Sequence, residues 1–185
     1  MKLVITQNVT LDGVVDADGD WFEPIEEPGD IAETVREHMH AEDGLLLGRR
    51  TFEQLRGYWP GRDDPVGISK HLDSVHKHVV TSTVTDPEWE NSSVIDADLL
   101  DYVRSLREEE GAEIGVTGSI SVCHQLLEAG LVDEVRLFLY PVVIGDGRRL
   151  FPDGMPGTDF ELAEAHPFRS GVVLLRYRHR GHRQS

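Results

Sequence analysis

The chain has 185 residues, 39% hydrophobic and 28% charged, and a formal net charge of −16 from 18 Lys and Arg against 34 Asp and Glu. That content suits one soluble domain, residues 1–185, with a continuous core. The acidic balance argues against nucleic acid or an anionic membrane as a partner, although a local arginine cluster can still hold a small anion. Cys123 is the only cysteine, so no internal disulfide is possible, and its place in an apolar stripe reads as a buried thiol. No apolar run approaches the roughly 18 residues of a bilayer span, and the N-terminal run is too short for a signal peptide. A cytoplasmic protein is expected.

Leu3 to Thr6 reads as a first strand buried on both faces, and Asn8 to Gly13 as a turn. An acidic loop from Asp16 to Pro28 carries Trp21 and Phe22, and long loops often cover sites. Ile31, Val35 and Met39 mark a helix stripe with Asp30 as N-cap; His38 and His40 fall on different faces, so they form no metal pair. Gly44 to Gly48 predicts a second strand, and Thr51 with Gln54 predicts a capping box opening the next helix. Gly57 to Gly67, with Tyr58 and Trp59, reads as a loop. His78 to Thr83 predicts a third strand ending in hydroxyls; His76 and His78 share a face but lack a third ligand, so no metal is expected.

Leu99, Val103 and Leu106 predict a helix from Asp98 to about Glu110, closed by Gly111. Ile114 to Val116 predicts a strand that stops at a Thr117-Gly118-Ser119 turn, and from Ile120 apolar residues recur at helical spacing through Cys123 and Leu127. Asp133 to Ile144 alternates as a strand, Gly145-Asp146-Gly147 turns, and Phe160 to Ala165 and Gly171 to His179 give two late strands. Strands alternating with helices, then strands alone, predict an α/β fold of three layers. Its sheet is mixed, mostly parallel and about eight strands wide, with helices on both faces and an antiparallel C-terminal edge.

In a parallel sheet, ligands bind outside the carboxyl ends of the strands. Three such ends carry fitting chemistry: Gly48-Arg49-Arg50-Thr51, Thr81-Ser82-Thr83 and Thr117-Gly118-Ser119-Ile120. Two of them open helices, whose free N–H groups and dipole favour an anion. Gly118 has no Cβ to keep a phosphate or ring off the backbone. The arginines and hydroxyls suit a further phosphate, such as the 2′-phosphate of NADP. Any one of these turns reads more simply as a plain connector; together they point to a dinucleotide.

On these residues the chain resembles the dihydrofolate reductase-like superfamily, and within it the reductase domain of riboflavin biosynthesis and its small bacterial relatives. The resemblance rests on Thr10-Leu11-Asp12-Gly13, Gly48-Arg49-Arg50-Thr51-Phe52, Thr81-Ser82 and Val116-Thr117-Gly118-Ser119. Its most specific part is Leu131-Val132-Asp133-Glu134-Val135 leading to Pro141-Val142-Val143-Ile144-Gly145-Asp146-Gly147. It implies NADPH across the three strand ends, with the nicotinamide beside Val9, Thr117 and Gly118. A small-molecule substrate would enter between the first helix, the Trp21 loop and the Tyr58-Trp59 loop, with Asn8 and Asp12 on its side. Family members are often homodimers, and the same is expected here.

Two departures from the family stand out. Its glycine pair at the helix start, often joined by a cis bond, falls at Thr117-Gly118, and the acid that folate enzymes bury on the first long helix has no match, since Glu33 and Glu37 lie off the apolar stripe. Asp12 reads either as a carboxylate that binds substrate and delivers a proton or as an Asp-Gly turn residue, and His124 as structural. Arg56 and Arg62 are the evident cations of the substrate-side loops, too few for a ribose phosphate. The implied activity is NADPH-dependent reduction of a pyrimidine-type or related heterocycle, closest to 5-amino-6-(5-phosphoribosylamino)uracil reduction, on a different or unphosphorylated substrate. A non-catalytic ligand-binding protein on the same fold is the rival, and dihydrofolate reduction stands third.

Overall fold

The computed structural model describes residues 1–15, 21 and 29–182, with only the backbone of 181 and 182. Phe22 and all of the acidic loop except Trp21 lie outside these residues. Strands β1 (Lys2–Thr10), β2 (Glu42–Gly48), β3 (His76–Val80), β4 (Ser92–Val94), β5 (Glu113–Gly118), β6 (Glu134–Tyr140), β7 (Thr158–Pro167) and β8 (Val173–His182) form one sheet. Five helices connect them: α1 (Asp30–Ala41), α2 (Arg49–Tyr58), α3 (Ile68–Ser74), α4 (Leu99–Glu108) and α5 (Ile120–Glu128). The sheet order is β4-β3-β2-β5-β1-β6-β8-β7, parallel as far as β6 and antiparallel through β8 and β7. This is the α/β architecture that the sequence predicts.

Alternation along the strands sends side chains to two unlike layers. On one face Leu3, Ile5, Leu46, Val116 and Val135 pack with Val103, Cys123 and Leu126 of α4 and α5 in a single cluster. On the other, Leu45, Leu47 and Val79 pack with Phe52 and Leu72 of α2 and α3. Phe138 and Leu174, farther along that face, pack with Ile31 and Val35 of α1. A buried charge network lies in the sheet: Arg136 donates two bonds to Glu113 (2.8 and 2.9 Å) and one to Glu134 (2.7 Å), and Arg176 joins Glu134 to Glu164. Pairing at this completeness offsets the desolvation of the charges.

Several element ends differ from the sequence-based expectations. β1 continues to Thr10 because its ladder with β6 runs from Val4 to Thr10, so Asn8 to Thr10 is strand rather than turn. Gly29, not Asp30, caps α1; the Asp30 carboxylate instead accepts from the N–H groups of Ile31 and Arg169, tying the helix start to the β7–β8 turn. α2 begins at Arg49, directly after Gly48, and Thr51 makes no capping box with Gln54. The expected 57–67 loop is shortened by α2 reaching Tyr58, and α3, unforeseen, follows it. Asp64 organises that entry by accepting from the N–H groups of Val66, Gly67, Ile68 and Ser69 at 2.7–3.1 Å.

β3 stops at Val80, before the hydroxyl run. Asp98 does cap α4, accepting from Leu100 and Asp101, but the C-cap is Glu109 and Gly111 lies beyond the C′ position. β6 stops at Tyr140, where the Val142 N–H turns back onto the Tyr140 carbonyl.

Candidate active site

Two cavities meet at the carboxyl ends of the parallel strands. The first, about 500 Å³, is lined by Gly48, Arg49, Arg50, Thr81, Ser82 and Ser119, together with Ser121 and Gln125 of α5. The second, about 810 Å³, lies on the α1–α2–α3 face, between the two apolar clusters there. It takes Asn8, Trp21, Thr51, Tyr58, Thr117, Gly118 and Ile120 from the expected set. Arg50 and Ser119 line both.

Three expected residues lie elsewhere. Val9 is buried in the cluster beneath α5, because its strand position points it to that face. Thr83 lines neither cavity; its N–H donates to Thr81 Oγ1 at 3.1 Å, and its hydroxyl lies 3.4 Å from the same oxygen. Asp12 also lines neither. Its carboxylate accepts from the Thr10 hydroxyl (2.6 Å) and from the N–H groups of Gly145 (2.7 Å) and Ile144 (3.3 Å). The Thr10 bond first, then Gly145, lowers its pKa to about 2. It is tied into the turn after β6.

The strand ends are built from small residues in close contact. A Cβ at Gly48 would stand 2.0 Å from Ser119 Oγ, and one at Gly118, whose φ is +148°, would stand 2.6 Å from Thr51 Oγ1. The Gly118–Ser119 peptide is cis. Neither α2 nor α5 has a side-chain cap; in α5 the Val122 N–H bonds the Ser119 carbonyl, and the N–H groups before it are placed for an anion. A dinucleotide phosphate fits this cradle.

In the second cavity α1 contributes Val35, His38 and Met39, whereas Glu33 and Glu37 are exposed. Burial, then the positive charges of Arg136 and Arg176, lowers the His38 pKa to about 4. The imidazole is neutral at pH 7. At the opposite end from Gly118, Glu42 and His71 join at 2.8 Å. Arg148 also lines the cleft. Arg56 is turned away onto the Pro87 carbonyl and Glu88, and Arg62 stacks 3.7 Å from the Tyr58 ring centre while donating to its carbonyl.

Glu42, His71, His38 and Arg148 escape sequence reading because they are far apart in the chain and none stands in a motif. The alternation of Glu134 and Arg136 with buried apolar residues was the one available sign that this face is polar. Cys123 is buried, with a thiol pushed up to about 12 by desolvation, and His124 bonds the Arg149 carbonyl. Among the described residues no His, Cys, Asp or Glu group could hold a metal, and no helix is long and apolar enough to cross a membrane.

The RibD C-terminal domain family matches residues 1–174. The uncharacterized protein YyaP of Bacillus subtilis is 30% identical over 97% of this chain and 96% of its own. A solved deaminase/5-amino-6-(5-phosphoribosylamino)uracil reductase from Thermotoga maritima superposes with a TM-score of 0.66 at 17% identity, covering 96% of this chain and 56% of that one. A dihydrofolate reductase from Enterococcus faecalis, solved with NADP(H), gives 0.64 at 16% identity and covers 97% of each chain. At such identities these two structures establish a shared fold.

Proposed function

The chain belongs to the RibD C-terminal domain family, and on that premise we propose that it is an NADPH-dependent reductase of a pyrimidine-type or related heterocycle, acting in the cytoplasm. What carries this reading is that Arg50 and Ser119 line both cavities, so the anion cradle opens directly onto the apolar cleft. The first-turn N–H groups of α2 and α5 take the pyrophosphate, and Arg49, Arg50, Thr81 and Ser82 take the phosphate-bearing ribose. Gly118 and Ser119 bring bare backbone to the nicotinamide, which when bound supplies the hydride. Trp21, Tyr58 and Phe138 wall the cleft, orienting a flat ring and excluding water from it.

The test is NADPH oxidation across a panel of pyrimidines and fused heterocycles. Turnover of at least one supports the proposal; saturable NADPH binding without turnover on any supports a ligand-binding protein instead. That second reading draws on Asp12, whose carboxylate is engaged away from the cleft and supplies no proton there. Folate is disfavoured by the exposure of Glu33 and Glu37, and methotrexate should fail to displace any ligand. The outer strand β7 is exposed along most of its length, with Leu162 53% accessible, which offers a surface to a second copy. Sedimentation at a dimer mass checks this.

A further inference from the structure

We propose that the end of the cleft opposite Gly118 is a second recognition subsite, where Glu42, held by His71, takes a cationic nitrogen head (an amine or amidine) of an elongated substrate. This rests on the reductase reading for which end of the cleft is reactive, and it narrows the substrate class. Gly118 and Glu113 are five residues apart on β5, and Glu113 is in register with Glu42. The Glu42 carboxylate reaches back over Gly115, three residues from Gly118, so at about 3.3 Å per residue it lies roughly 10 Å from that turn. A single ring seated on Gly118 and Ser119 does not span that distance, so a ligand that fills the cleft is a heterocycle with an extended substituent.

Glu42 is not an ordinary surface acid. It and His71 expose only 13% and 15% of their side chains, and their bond joins Oε2 to Nε2. The neighbouring strand is shaped to admit the carboxylate, since a Cβ at Gly115 would stand 2.4 Å from Glu42 Oε1. Gly115 has no positive φ, so glycine serves space here and not torsion. The cleft that the pair lines also takes Leu45, Leu55, Trp59, Ile68 and Leu72, with Leu45 next to the carboxylate over Gly115.

One oxygen of the carboxylate keeps acceptor capacity, and its low exposure strengthens a charge-assisted bond. The nearby Arg136 is already committed to Glu113 and Glu134, so it does not neutralise Glu42. An anionic head would meet the carboxylate and be repelled. A cation with N–H donors fits, its apolar body lying along Trp59 and Leu72.

Benzamidine, an apolar ring bearing a cationic head, is the probe, with benzoate as its anionic counterpart, titrated into the full chain without cofactor. The His71 ring signals, assigned with a His71→Gln chain, report occupancy by NMR, and calorimetry gives the affinity. The proposal expects benzamidine to saturate and shift those signals while benzoate does not. It expects saturating NADPH to leave benzamidine affinity unchanged, and Glu42→Gln to weaken benzamidine about tenfold or more while NADPH binding stays at the wild-type value. If benzamidine fails to shift the His71 signals, competes with NADPH, or binds Glu42→Gln equally well, the subsite is overturned. If Glu42→Gln does not fold, the contrast between benzamidine and benzoate on the wild-type chain decides. Benzamidine binding in a chain that takes no NADPH would keep the subsite and overturn the reductase reading, so the two failures are distinct.

Discussion

On one face of the sheet α4 and α5 lie over an unbroken apolar layer, from Leu3 and Ile5 through Val116 to Leu126 and Val135. On the other, α1, α2 and α3 cover two separate patches, one around Leu47 and Phe52 and one around Phe138 and Leu174. The interval between the patches is the cleft, and the sheet beneath it carries polar side chains such as Thr6 and Asn8. The continuous face supplies stability, and the interrupted one gives up packing and leaves a cavity. Substitutions on the two faces should therefore separate stability from binding.

The largest expected effect is on binding at the Gly118 end of the cleft. Gly118→Val places a branched side chain where a Cβ already comes within 2.6 Å of Thr51 Oγ1, at a φ of +148°. NADPH binding should fall below calorimetric detection while the melt remains cooperative; normal NADPH binding by this variant would make the turn a mere connector. The converse test lies on the continuous face. Leu126, fully buried, should cost about 3 kcal/mol on substitution by Ala, read by urea unfolding, with NADPH affinity unchanged in the folded protein. Val35→Ala at the cleft wall should cost less than half as much.

Next in size is a pH effect carried by the interrupted face. Burial first, then Arg136 and Arg176, lowers the His38 pKa to about 4 in the folded chain from 6.5 in the unfolded one. Between those values the unfolded chain binds a proton that the folded chain refuses. Stability is therefore whole above pH 6.5 and falls toward pH 4, by on the order of 2 kcal/mol. His78, against Tyr102 of α4 on the other face and lowered to about 4 by burial and His76, adds a fall in the same window. Urea midpoints at several pH values check this, and the slope should be shallower in a His38→Gln chain.

Smaller still, Arg49→Ala should weaken NADPH roughly tenfold and NADH hardly at all; equal losses would show that Arg49 does not face the 2′-phosphate. The smallest change on the ligand side is Asp12→Asn, which should leave NADPH affinity as it is. Its cost should appear in stability above pH 3.8, because a carboxylate lowered to about 2 stabilises the fold above its unfolded value and loses that contribution as pH falls through the folded one.

The two faces also differ in how far the sequence reveals them. α5 is legible from Ile120, Cys123 and Leu127, because a long apolar stripe repeats at the helical period, and the strand-end turns are legible because glycine and hydroxyl residues cluster there. α3 is too short for its period to show, and its entry depends on Asp64 gathering four N–H groups. The position of Asp12 depends on a turn more than 130 residues away. The resemblance implies Val9 beside the nicotinamide, whereas strand parity turns it into the cluster under α4 and α5. Glu42 and His71 lie 29 residues apart and meet only when α3 packs beside the start of β2. Local periodicity thus exposes the continuous face, while the cleft is assembled by long-range contacts.

The most direct test of the central claim is calorimetric titration of the purified chain with NADPH, with NADH as control. Micromolar binding of NADPH with a clear preference over NADH is the predicted result, because Arg49 and Arg50 line the cavity assigned to the extra phosphate. Binding of neither nucleotide would contradict the reductase account while leaving the fold in place.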